Sequence, residues 1–240
     1  MKNILYIVST PIGNYEDISI RALKILRSVD FVICEEFKEG SKILRKFKIK
    51  KDLFSINEHN EKENTPEIIS MLKNGKVAAL ISDCGTPLFS DPGHFLVDQC
   101  VNSGIQIKPI PGANSLINAL VGSNLNFEKF YYYGWLSPKK EIRLKQLHDL
   151  KNEKKLLLFM ETPYRLKQLL TDIIKVFSAN VKTVLAYKLT QPEEKFYRDT
   201  AKQILKIAIE QKLKGEFVLL IDNRETAKNK LQRQNKSKRN

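Results

Sequence analysis

The chain alternates short runs of apolar, often β-branched residues with stretches of helical period, and Pro, Gly, Asn and Asp crowd the joints between them. Runs of four to six such residues are strand-sized, whereas the stretches between them repeat apolar positions every three to four residues. That alternation predicts an α/β protein. Strands are expected at 4–9, 31–35, 77–82, 106–110, 130–135, 155–160, 183–187, 195–199 and 216–221. Helices are expected at 20–28, 40–47, 65–74, 94–103, 114–121, 142–150, 165–177 and 201–211. No repeat of fixed period is visible. The turn residues Gly122-Ser123-Asn124-Leu125-Asn126 precede the aromatic run Tyr131-Tyr132-Tyr133, which places a domain boundary there: a first α/β domain over 1–122, a second over 123–223, and a tail over 224–240. Clefts between domains are where small-molecule sites tend to form, so loops of both halves are candidates.

Composition narrows the class. At 240 residues and 42% hydrophobic content the chain can bury one large core or two small ones. The first apolar run follows a single Lys and stops at Ser9-Thr10-Pro11, too short for a signal-peptide core or a membrane span. Cys34, Cys84 and Cys100 are odd in number and share no close spacing, which argues against a zinc cluster or a disulfide framework and points to a reducing cytoplasm. The net charge of +14 favours a polyanionic partner such as RNA. Seven basic residues against Glu225 in the tail read either as a solvated end or as an arm that grips RNA.

Four loops follow expected strands as ligand-binding loops do in open α/β sheets. The first, Thr10-Pro11-Ile12-Gly13-Asn14, is a turn that lets a ligand approach, and turns of this kind are common after a first strand. The second runs from Ser82 to Gly93 and packs two acids (Asp83, Asp91), two prolines (Pro87, Pro92) and two glycines (Gly85, Gly93) into twelve residues, more chemistry than a connector needs. The third, Pro111-Gly112-Ala113-Asn114-Ser115, enters a helix and reads as an ordinary N-cap or as a cradle for a carboxylate or ribose oxygen. The fourth, Gly134-Trp135-Leu136-Ser137-Pro138, leads into Lys139, Lys140, Arg143 and Lys145, which form either a solvated helix face or a phosphate-facing one. Neither the dinucleotide nor the nucleoside-triphosphate glycine motif is present. No metal-ligand spacing links His59, His94 and His148; His94 fits a helix start, His148 a helix surface, and His59 a loop after a strand.

Pro11-Ile12-Gly13-Asn14, the block Ser82-Asp83-x-Gly85-Thr86-Pro87-x-x-x-Asp91-Pro92-Gly93, Pro111-Gly112, Gly134-x-Leu136 and Gly215-Glu216-x-Val218-Leu219 together resemble the RsmI-type ribosomal RNA ribose methyltransferases of the tetrapyrrole methylase superfamily. Glu58-His59-Asn60 resembles that subgroup in particular. The likeness runs from about Ile4 to Ile221. It implies a two-domain tetrapyrrole-methylase-like fold of the class III S-adenosylmethionine methyltransferases, with the donor in the interdomain cleft of a homodimer. By motif position Pro11, Gly13, Asp83, Gly85, Thr86, Pro87, Ser115, Gly134, Trp135, Glu161 and Thr162 would surround S-adenosylmethionine, with no metal. The implied reaction is 2′-O-methylation of a cytidine ribose in small-subunit (16S) ribosomal RNA, free or in the assembled small subunit. Asp83, Glu58, His59 and Glu35 are the groups that could accept the hydroxyl proton. The chain departs from the subgroup at Glu35-Glu36-Phe37-Lys38, usually Glu-Asp-Thr-Arg, at Tyr187-Lys188, usually Arg-Glu, and at Tyr164, usually His. A methylase acting on a tetrapyrrole or other small acceptor, and an RNA-binding relative without catalysis, are the competing readings.

Overall fold

A computed structural model describes residues 3–89 and 91–224. The expected tail therefore lies outside the described residues, except for Arg224, whose guanidinium pairs with Asp222 at 2.7 Å. The chain divides into two compact units between Ser115 and Leu116. Among the described residues no helix is long and apolar enough to cross a membrane.

In the first unit, β1 (Ile4–Val8), β2 (Phe31–Cys34) and β4 (Val77–Ile81) are buried almost without interruption. Strands covered on both faces read as continuous apolar runs, which is what these sequences are. β3 (Asp52–Ser55) and β5 (Gln106–Ile110) are more exposed. The order β3-β2-β4-β1-β5, parallel throughout, puts those two at the edges. Helices α1 (Ile20–Ser28) and α2 (Phe37–Lys46) supply Ala22, Leu26, Ile43 and Leu44 to the core on one face. On the other face α3 (Glu61–Lys73) and α4 (His94–Asn102) supply Ile68, Leu72, Leu96 and Cys100. Ser19 starts α1 by accepting a hydrogen bond from Ala22 N at 3.0 Å. α5 (Ser115–Gly122) begins at the division between the units.

The second unit holds β6 (Phe130–Gly134), α6 (Lys140–Lys151), β7 (Leu156–Glu161), α7 (Leu166–Val176), β8 (Lys182–Tyr187), β9 (Lys195–Thr200), α8 (Ala201–Glu210) and β10 (Phe217–Asp222). The sheet order is β6-β7-β10-β8-β9, with only the β6–β7 pair parallel. Leu157, Phe159, Leu185 and Leu219 of the strands pack with Leu147, Leu169 and Ile204 of the three helices α6, α7 and α8.

Two differences from the sequence pattern have local causes. β3 is absent from the expected strands, because Asp52-Leu53-Phe54-Ser55 is too short and too polar at its ends to show a period. α3 starts four residues before position 65, in the polar run Glu61-Lys62-Glu63-Asn64, with Pro66 inside the helix. Side chains hold that start: Asn57 N donates to Asn60 Oδ1 at 2.8 Å, Asn60 N to Asn57 Oδ1 at 3.1 Å, and Thr65 Oγ1 to Glu61 O at 2.6 Å. These bonds hold the helix start without any apolar periodicity.

Arg143 contradicts the expectation of a solvated or phosphate-facing position. It is buried at 1% exposure, and its Nε donates to Asp172 Oδ2 at 2.8 Å. Its Nη1 donates to the carbonyls of Ser137 at 3.0 Å and Pro138 at 2.9 Å. Removing one member of such a pair strands the other charge, which costs about 3–5 kcal/mol. Asp172→Ala should therefore lower urea-unfolding stability by that order, whereas Arg143→Met/Asp172→Leu should recover most of the loss; equal losses in the two variants would show that the pair is not the relevant element.

Candidate functional site

Because β1 to β5 run parallel, the loops at their carboxyl ends share one edge of the first sheet, the edge where open α/β sheets bind ligands. Three of these loops are sewn together by short polar side chains. Thr10, 1% exposed, donates its backbone N–H to Gly85 O at 2.8 Å. Its hydroxyl accepts from Gly85 N at 3.1 Å and donates to Ser82 O at 3.1 Å. Thr86 Oγ1 lies 3.1 Å from Ser9 Oγ and donates to Ala113 O at 3.3 Å, which ties in the loop after β5. A Cβ on Gly112 would stand 2.9 Å from Ser9 Cβ and 3.3 Å from Ser9 O, so the close passage of the two loops needs glycine. Gly85 has φ +87°, and a Cβ there would meet Ile12 at 3.1 Å. Pro11, Gly13, Asp83, Gly85, Thr86 and Pro87 are thus held on one edge, and Ser115 begins the helix that follows the third loop.

Carboxylates gather at the same edge. Burial raises the Glu35 pKa, and Asp83, Asp91, Glu36 and Glu58 raise it further in that order. Burial also raises Asp83, and a backbone hydrogen bond from Glu36 N at 3.4 Å opposes the rise. Asp91 is pushed up to about 6, chiefly by burial; a hydrogen bond with Ser82 opposes the shift and Asp83 adds to it. Asp91 Oδ2 is enclosed without a hydrogen-bond partner. Of the proton-accepting candidates, Glu35 and Asp83 therefore come together, and Glu58 acts on Glu35 through space. His59 and Glu58 lie 84% and 83% exposed, 3.3 Å from one another. Asp91 belongs to the motif block but not to the candidate bases. Its place in a Pro- and Gly-rich loop carries no period that would reveal its burial.

The second unit treats its candidates differently. Gly134 ends β6 with φ +86° at a register shift, and Trp135 is 44% exposed. Arg165 Nη2 donates to the carbonyls of Leu136 at 3.3 Å and Ser137 at 3.0 Å, beside the bonds from Arg143. Glu161, at the end of β7, is 2% exposed and lies 3.1 Å from Arg165. It accepts from Thr162 N at 2.8 Å. Its side chain is thus turned inward, onto the arginine that fastens the loop after β6.

The residues at which the chain departs from the subgroup each have a place. The Tyr187 hydroxyl accepts from Gly215 N at 2.9 Å and Lys214 N at 3.3 Å, so this ring braces the turn into β10. Lys188 pairs with Glu193 at 3.5 Å. Tyr164 and Phe37 are exposed, at 81% and 53%.

Comparison with known proteins agrees with this fold. The family model of Tetrapyrrole (Corrin/Porphyrin) Methylases matches residues 4–205. Among curated proteins, a protein named ribosomal RNA small subunit methyltransferase I from Buchnera aphidicola (subsp. Acyrthosiphon pisum) is 40% identical over 94% of this chain and 81% of its own. Proteins of the same name from Thermotoga maritima and Bacillus subtilis are 38% and 36% identical, over 92% and 91% of this chain and 99% and 75% of theirs. Among solved structures, the cobalt precorrin-4 methyltransferase of cobalamin biosynthesis aligns with TM-score 0.69 at 18% identity, over 91% of this chain and 94% of that one. A diphthine synthase aligns with TM-score 0.70 at 16% identity, over 91% and 88%. With a match across both units and relatives of this identity along nearly its whole length, the chain belongs to the tetrapyrrole methylase family, on the branch of methyltransferases that carry the small-subunit ribosomal RNA name.

Proposed function

We propose that this protein transfers a methyl group from S-adenosylmethionine to the ribose 2′-hydroxyl of a cytidine in small-subunit ribosomal RNA. The observation that carries the reading is the set of relatives at 36–40% identity that bear the small-subunit methyltransferase name. S-adenosylmethionine supplies an electrophilic methyl on a positively charged sulfonium. The edge of the first unit fits such a cation. Its carboxylates are raised by burial and by one another, and a positive ligand relieves both costs. Pro11, Gly13, Asp83, Gly85, Thr86, Pro87 and Ser115 would hold the donor there. Thr10 and Ser9 keep the loops in place without facing a ligand themselves, since both are buried.

The acceptor hydroxyl becomes a competent nucleophile as its proton is taken up, and an ionised carboxylate of this edge, Asp83 or Glu35, can take it. Positioning supplies the rest of the acceleration, which the cross-linked loops favour. The net charge of +14 supports a polyanionic acceptor such as RNA.

Three outcomes are expected. Labelled S-adenosylmethionine incubated with small ribosomal subunits that lack ribose methylation should yield 2′-O-methylcytidine on nucleoside mass spectrometry; label found only in a tetrapyrrole acceptor would overturn the reading. Calorimetry should show donor binding by the wild type and its loss in Asp83→Ala and Gly85→Val, with the circular dichroism of both variants retained. Because Asp91 of this edge is pushed up to about 6, donor affinity should rise as the pH passes upward through that value and binding near pH 6 should release protons. Wild-type affinity in Asp83→Ala, or a pH-independent affinity, would remove the donor from this edge.

A further inference from the structure

The two helical layers of the first unit carry opposite charge, and this asymmetry is not required by the fold. Between Ile20 and Asp52, which span the α1/α2 layer, there are ten Lys and Arg against five Asp and Glu. The α3/α4 layer on the other face, residues 61–76 and 94–104, has three basic residues against four acidic. Both layers bury comparable apolar stripes against the same sheet, so the core does not dictate the difference. Arg21, Lys24 and Arg27 recur along α1 and are exposed. Lys38, Lys42 and Arg45 recur at three- to four-residue spacing along α2 and are also exposed, which lines them up on one face.

The basic face has two distinct ends. At the start of α2 it meets the carboxylates of the loop edge, where Glu36 N bonds Asp83. At the far end, where α2 turns into β3, a cleft of about 590 Å³ is lined by Arg45, Lys50, Lys51, Asp30 and Asp52 among others. Asp30 accepts from Val77 N at 2.7 Å through one carboxylate oxygen, and Lys51 donates to Val29 O. Arg27 reaches the same corner, with Nη2 3.5 Å from Phe47 O. Like charges disfavour a phosphodiester backbone running along the acidic loop edge beyond the one nucleotide that reacts there. Such a backbone can lie along α1 and α2 and end in the cleft.

We infer that the α1/α2 face of the first unit, from Lys38 to the cleft at Arg45 and Lys50, is where this protein grips the phosphodiester backbone of its RNA. The inference rests on the reading of the acceptor as RNA and goes beyond it by naming the surface. The face positions RNA through its phosphates and leaves the acidic edge for the one ribose that reacts.

The test compares two triple variants of the full chain, Lys24→Ala/Lys42→Ala/Lys50→Ala on the basic face and Lys62→Ala/Lys73→Ala/Lys76→Ala on the opposite one. All six residues are exposed. Fluorescence anisotropy with a fluorescein-labelled RNA stem-loop over a range of salt concentrations gives the slope of log affinity against log salt. Each lysine that no longer neutralises a phosphate lowers the steepness of that slope by about 0.7–0.9. The first variant should flatten the slope by about 2–3 and bind at least about tenfold more weakly at physiological salt, while the second matches the wild type. Equal effects in the two variants, or a wild-type slope in the first, would overturn the assignment. Calorimetry with S-adenosylmethionine on the same proteins separates the claims: unchanged donor binding with weakened RNA binding supports the surface, and a wild type that binds RNA but no donor leaves the surface standing while the methyl-transfer reading falls.

Discussion

The hydroxyl of Thr10 is the fastener on which the candidate site depends. It accepts a hydrogen bond from Gly85 N and donates one to Ser82 O, so a single buried side chain from the loop after β1 closes the turn that follows β4. Parallel strands bring those loops to one edge but do not fix them to each other. Thr10 does, and the contact of Thr86 with Ser9 and Ala113 extends the tie to the loop after β5. The glycines follow from this closeness. Gly112 must pass Ser9 and Gly85 must adopt a positive φ against Ile12, so the residues that look like a ligand motif are also those that permit the loops to touch.

The second unit solves the same problem with charge. Two guanidiniums, from Arg143 and Arg165, hold the carbonyls of Leu136, Ser137 and Pro138, and each is anchored by a carboxylate, Asp172 and Glu161. Guanidinium is suited to this because its fixed fork of donors can serve a carboxylate and carbonyls together. The loop after β6 is thereby fastened at Leu136, Ser137 and Pro138, with Trp135 exposed at its start.

Much of the fold was legible because parallel central strands must be apolar throughout and amphipathic helices must repeat. Nine strands and eight helices could be placed from pattern, with ends off by a few residues. β3 was not legible because four residues with polar ends show no period, and the first turn of α3 was not because side-chain hydrogen bonds of Asn57, Asn60 and Thr65 hold it. The loop block from Ser82 to Gly93 stood out by composition, and its ties to the loops after β1 and β5, through Gly85 and Thr86, are visible only in the structure. Arg143 illustrates the limit: within Lys139-Lys140-Glu141-Ile142-Arg143 nothing local distinguishes a buried guanidinium from a solvated one, because its partner Asp172 lies 29 positions away. Glu161 turns inward onto Arg165, only four positions on, and Asp91 is enclosed within a loop that has no period, so neither placement leaves a periodic signal.

The central claim is that the cross-linked loops at the carboxyl edge of the first sheet hold the methyl donor. Amide hydrogen exchange of the full chain, followed by mass spectrometry with and without saturating S-adenosylmethionine, addresses it without any substitution. Slowed exchange in peptides that cover 82–87 and 111–115, with α3 and α4 unchanged, is the predicted result. Protection confined to other parts of the chain, or absent despite demonstrated binding, would contradict the account.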